Sequence, residues 1–177
     1  MKRQSTKQQV LVVLIMIALF VLIFLPIPIK VNKTLAAVEL AAGDPDFRQP
    51  VTVTIQGTYH WTLLGDSKFW GDITFDTYPL TLEQPLAQGG HLAPALRHNK
   101  YGDSLDYGPW METTFFGKIM WKGLFRTFLV QVYEPDGENR SGWNNIDGHY
   151  IVYPVHNPQQ VIKNVYPWPD ELLWSYQ

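Results

Sequence analysis

The chain has no cysteine. That excludes disulfides, thiolate zinc sites and cysteine nucleophiles, so any exported domain has to be held by its core alone. Serine is scarce beyond the N-terminal tail, at Ser67, Ser104, Ser141 and Ser175, and none lies in a G-x-S-x-G elbow. There is no phosphate-binding loop, no dinucleotide fingerprint and no HExxH pair. Basic charge is in short supply as well. From residue 34 onward nine Lys and Arg stand against sixteen Asp and Glu, a net of −7 that the formal charge of −2 for the whole chain hides. Nucleic acids and anionic polymers need a basic face, so this balance argues against both as partners.

One long apolar run is present. Val10 to Leu25 is uninterrupted, and Pro26-Ile27-Pro28-Ile29 extends it to 20 residues, which as a helix would rise about 30 Å, the thickness of a bilayer core. The run predicts a transmembrane anchor over 10–29. A cytoplasmic tail (1–9) precedes it, and a linker (30–50) leads to an extracytoplasmic β-domain (51–177). Lys2, Arg3 and Lys7 before the run, against Lys30 and Lys33 after it, favour an N-terminus inside the cell. The competing reading is secretion after cleavage near Leu35-Ala36-Ala37. The apolar stretch is longer than a usual signal core, however, and that site lies well beyond its end. Both readings export the same domain.

Val51 to Leu63 alternates with a period of two. Val51, Val53, Ile55, Gly57, Tyr59, Trp61 and Leu63 fall on one face, with Thr52, Thr54, Gln56, Thr58, His60 and Thr62 on the other. This predicts a half-buried strand. With Gly65-Asp66-Ser67 as the turn, the return strand places Phe69, Gly71, Ile73 and Phe75 on the apolar face. The implied register sets Trp61 opposite Gly71 and His60 opposite Asp72. A second hairpin turning at Lys122-Gly123 would set Gly117 opposite Phe128, and Arg126 among apolar neighbours opposite Ile119. "KFWGDITF" and "TFFGKIMW" share the spacing aromatic-x-Gly-x-Ile-x-aromatic. Both registers explain the echo as packing, an aromatic ring lying over each glycine.

"GHYIVYPV" (148–155) predicts a further strand ended by Pro154. Asn157-Pro158-Gln159-Gln160 then supplies an N-cap, a proline at the first helical position and Gln at the third, opening a short helix that Pro167 stops. Residues 168–174 predict a last turn docked on the sheet. Residues 77–110 show little periodicity and predict a long loop. The fold class is mainly β: an antiparallel sandwich or partly open barrel with a short C-terminal helix, preceded by one N-terminal transmembrane helix. The arrangement, with "IVYPVHNPQQVI" as its last strand and Pro-capped helix, resembles uncharacterised small exported proteins of Gram-positive bacteria. The resemblance implies an anchor and a β-domain, and no activity.

No compact metal-ligand spacing occurs among His60, His91, His98, His149 and His156, and Asp103-Ser104-Leu105-Asp106 lacks the Gly and alternation of a calcium loop. No metal or cofactor is expected. The weak catalytic candidates are His60 and Asp72, as a cross-strand acid–base pair. The 23 aromatic residues from position 34 onward have to build most of the core. Trp70 on the polar strand face, and Arg97, Tyr101, Tyr107 and Trp110 in the long loop, are the candidate binding residues, because Arg, Tyr and Trp dominate interface hot spots. The expected function is a non-catalytic, single-pass membrane protein that binds a protein or glycan partner at the cell envelope. The alternative is an envelope hydrolase whose site is built from histidines and loop carboxylates.

Overall fold

Helix α1 (Thr6–Phe24) stops where Pro26 pushes the residue before it out of helical space. The computed structural model of the protein describes residues 6–63, 67–87, 96–97, 102–109, 112–135, 141–143 and 148–165. Within α1 the apolar stretch begins at Val10, after four residues of mainly polar character. Its helical part up to Phe24 rises about 22 Å, less than the ~30 Å of a bilayer core. Among the described residues no helix is long and apolar enough to cross a membrane. The span expected over 10–29 is therefore not found: the helix ends at Phe24, and Ile27–Ile29 belong to the sheet.

The linker expected over 30–50 is a second correction. Strand β1 (Ile27–Ala41) pairs antiparallel with β2 (Asp44–Trp61) along nearly its whole length. The period of two is present in β1, with Val31 and Ala37 buried on the face that Lys33 and Glu39 share. Those two charged residues interrupt the apolar stripe, and this is why the pattern reads as linker. The other strands are β3 (Lys68–Phe75), β4 (Leu96–Arg97), β5 (Asp103–Tyr107), β6 (Thr114–Lys122), β7 (Thr127–Val132), a small pair β8 (Glu134–Pro135) and β9 (Ser141–Gly142), and β10 (His149–Tyr153). Eight of them form one antiparallel sheet in the order β4-β3-β2-β1-β10-β7-β6-β5. The sheet curls into a half-barrel, the partly open barrel of the two architectures expected.

The first hairpin and most of the second keep the expected faces, and both have longer turns than expected; near the start of β6 a register break against β5 puts Phe116, not Phe115, in the inner core. In β2–β3, Gly57 stands opposite Gly71, Tyr59 opposite Phe69 and His60 opposite Lys68. In β6–β7, Trp121 pairs with Phe128 and Gly117 with Val132, leaving residues 123–126 as the turn. An even shift preserves which side chains point inward, so alternation alone could not detect it. Arg126 therefore lies in the turn, exposed, and not inside the strand. The echo is packing, with different partners. The Phe69 ring covers both Gly57 and Gly71, where an added Cβ would come within 2.8 Å of its Cζ. At Gly117 the constraint is the neighbouring backbone, since a Cβ would stand 2.1 Å from the Gln131 carbonyl oxygen.

The inner face is filled by Val53, Ile55, Phe69, Ile73, Phe75, Leu105, Tyr107, Phe125, Phe128, Val130 and Ile151, each at most 1% exposed. Phe125 enters this core from the turn. It and Leu124 adopt φ of 59° and 56°, a left-handed conformation that costs a non-glycine residue about 1–2 kcal/mol. Stacking at 4.3 Å on Trp121 and an edge contact at 5.0 Å with Phe69 offset that cost. On the outer face, helix α3 (Pro158–Val165) lays Val161 and Ile162 against Leu129, Tyr150 and Val152. Its cap is as expected, with the Gln160 amide donating to Asn157 Oδ1 at 3.2 Å. The turn expected over 168–174 lies outside the described residues.

Residues 77–110 differ most from expectation. Tyr78 leads into α2 (Pro79–Glu83), and residues 85–87 then bridge the two ends of the curl. Leu86 pairs with Tyr107, the Ala87 amide donates to the Asp106 carbonyl at 2.6 Å, and the Leu86 amide donates to Asp72 Oδ1 at 3.1 Å. Strand β5 is a core element, with Leu105 and Tyr107 fully buried. The segment was read as loop because its inward residues are few and separated by turns.

The Tyr107 hydroxyl donates to the Ile73 carbonyl at 2.5 Å across the same seam. Burial, reinforced by the Asp72 carboxylate, holds this phenol far above the usual tyrosine range. The unfolded chain ionises it near pH 10 while the folded chain does not, so stability falls as pH rises past ~10, by up to about 1.4 kcal/mol per pH unit. Tyr107→Phe is expected to cost about 1–2 kcal/mol at neutral pH, and less at about pH 11, in urea unfolding. A penalty that stays constant with pH would contradict the buried donor. Gly71→Val and Gly117→Val are each expected to lose about 3 kcal/mol, the upper part of the overpacking range. Thermal melts matching the native protein would refute the close approaches.

Candidate functional site

Strand register separates the catalytic pair expected from sequence. His60 faces Lys68, and Asp72 faces Gln56 while accepting the Leu86 amide. No acid–base couple forms there, because the β2–β3 turn is longer than the one assumed. Of the binding candidates, Tyr107 is a core residue and leaves the list. Trp70 is 37% exposed on the outer face of β3, and Arg97 occupies β4 opposite Lys68. Tyr101 and Trp110 lie outside the described residues. Among the described residues no three His, Asp or Glu side chains gather as metal ligands.

The polar cluster that the fold does assemble was not visible in the sequence. Glu39 sits on the inner face of β1, 4% exposed, where the β1–β2 pairing breaks register between Glu39 and Ala41. One of its oxygens, Oε1, accepts the Tyr78 hydroxyl at 2.7 Å and also meets Nδ1 of His149 on β10. Towards an ionised carboxylate, which only accepts, the Nδ1–H tautomer is the one that makes this contact a hydrogen bond. The Phe47 ring lies 5.2 Å from the imidazole and tilts 58° to it. Three segments distant in sequence thus meet at one buried oxygen: β1, the lead-in to α2, and the start of β10. In the sequence His149 is one of five histidines without a ligand spacing, and nothing in the local pattern around Glu39 marks it. Its signal is a charge on an otherwise apolar strand face, which needs β1 to be recognised as a strand.

Chemically the cluster can orient an imidazole and bind a proton. Structurally it fastens the strap over residues 76–87 to the middle of the sheet. A second internal tie lies farther along β1, where Lys33 Nζ donates to the Leu124 carbonyl at 2.5 Å. Burial, and then the nearby Arg126 charge, hold its pKa below the usual lysine value.

Comparison of the chain with family models, with curated proteins and with solved structures finds no match.

Removing Glu39 leaves His149 and Tyr78 without their shared acceptor. Glu39→Ala is expected to cost about 3 kcal/mol, and Tyr78→Phe about 1 kcal/mol. In the double variant the second loss should nearly vanish, because both changes delete one network. Chemical denaturation of the four proteins checks this. Full additivity would show that the contacts act separately.

Proposed function

We propose that the protein is a membrane-attached, non-catalytic β-domain that holds a protein or glycan partner at the cell envelope, with α1 embedded in the bilayer and the half-barrel outside the cytoplasm. The observation that carries this reading is the exposure of α1. Val10 to Ile17 and Phe20 are each at least 50% exposed, and the helix is apolar on every side. Such a helix belongs in lipid or a protein core, not in water. The positive charges before it favour an internal N-terminus. The inner face of the half-barrel is filled by its own side chains, which favours a partner held on the outer surface over a ligand enclosed within.

The alternative, a hydrolase acting on envelope material, draws on one observation: the Glu39–His149 pair has the orienting carboxylate of an acid–base site. It takes the role first assigned to His60 and Asp72.

The full chain is expected to stay in the membrane fraction through alkaline carbonate washing, and a chain lacking residues 1–25 to be soluble. Detergent-solubilised protein should sediment with purified cell-wall glycan, or cross-link to one neighbour in intact membranes, without turning the glycan over. Turnover lost in His149→Ala would establish the hydrolase. Release by carbonate would remove the membrane reading.

A further inference from the structure

The end of the sheet next to α1 differs from the rest of the domain. Only Leu25 and Pro26 separate α1 from β1, a link that reaches at most about 10 Å. Whatever surface α1 enters therefore lies against the first residues of β1. Ile27 pairs with Trp61 there. Leu25 is 57% exposed, Ile27 40%, Trp61 36% and Leu63 50%. They continue the apolar surface of α1 onto the barrel rim.

On the outer face of the same end the register lines up Pro28, His60, Lys68 and Arg97 across β1, β2, β3 and β4. Lys30 and Trp70 stand in the next row on that face, joined through Thr58. In these described rows no carboxylate appears before Asp72. Asp44 and Asp46 are exposed at the far turn of the β1–β2 hairpin, about 50 Å away along the strands. In a domain with a net charge of −7 beyond residue 33, Lys30, Lys68 and the exposed Trp61 and Trp70 stand at the end that α1 leads into.

We propose that this rim is a seat for anionic lipid headgroups. The inference rests on the membrane attachment proposed for α1 and adds which face of the domain meets the bilayer. Trp61 and Trp70 occupy the headgroup layer, where amphipathic rings concentrate. Lys30 and Lys68 face lipid phosphates, and the apolar edge of Ile27 and Leu63 makes up the thickness that the short α1 lacks. The acidic far turn then points away from an anionic surface, so the charge pattern sets the direction in which the domain stands.

The test uses the full chain in vesicles of phosphatidylcholine alone or mixed equally with phosphatidylglycerol, with bromine on the acyl chains near the headgroups as a quencher of tryptophan fluorescence. W61F/W70F, two exposed positions, assigns the signal. Quenching should be strong in mixed vesicles and largely lost in W61F/W70F. K30Q/K68Q should lower the seated fraction's equilibrium constant roughly fivefold per cation removed. Unchanged quenching in W61F/W70F, or K30Q/K68Q matching the native protein in mixed vesicles, would overturn the proposal. Carbonate washing of the same vesicles separates the two readings. A chain that is retained with Trp61 and Trp70 unquenched refutes the rim seat alone, and a chain that is stripped off refutes the attachment on which it rests.

Discussion

A curled sheet without a disulfide has to fill its inner face with side chains from its own strands and turns, and much else in this protein follows from that requirement. Rings do most of the filling. Phe75 and Phe116 stack at 5.3 Å, and Trp121 and Phe125 at 4.3 Å. Such bulk fits only where the backbone gives way, as at the facing glycines Gly57 and Gly71 under the Phe69 ring. It also explains why Phe125 tolerates a left-handed backbone, since the buried stack is worth more than the conformational cost. The two ends of the curl are then tied by the Tyr107 hydroxyl and the strap through Leu86, which limits how far the barrel can open.

The buried Glu39 belongs to the same constraint. A carboxylate on an inner face is expensive unless it is fully engaged. Here Tyr78 and His149 engage it at the point where β1 and β2 lose register. The cluster holds the strap and at the same time presents the only orienting carboxylate–imidazole pair among the described residues. A structural fastening and a potential acid–base site are thus built from one set of atoms. With the interior filled and the polar network turned inward, the surfaces left for partners are the outer sheet face and the rim beside α1.

The parts legible in the sequence were those encoded by local period. The inward sets of β2 and β3, the existence of β10, the Asn157 cap and the end of α3 were each readable, because alternation and capping depend on neighbours in the chain. The parts that were not legible depend on charges inside an apolar pattern and on turn length. Lys33 and Glu39 disguised β1 as a linker. An even shift in both hairpins left most faces correct, Phe116 replacing Phe115 inside being the exception, while moving His60 away from Asp72 and Arg126 out of its strand. Strand β5 is too short for its two buried residues to stand out from the turns around it.

By itself, the sequence determined the mainly antiparallel β class, the apolar N-terminal segment, the sidedness of the main hairpins and the absence of thiol chemistry. Each is a matter of composition or of spacing within one segment. Only the tertiary structure decided that Glu39, Tyr78 and His149 share one oxygen, that Tyr107 is core and not surface, and that Lys68 and Arg97 lie side by side near the exit of α1. Those juxtapositions join residues between 29 and 110 positions apart. Strand order and register set them, and neither is written in any single stretch of the chain.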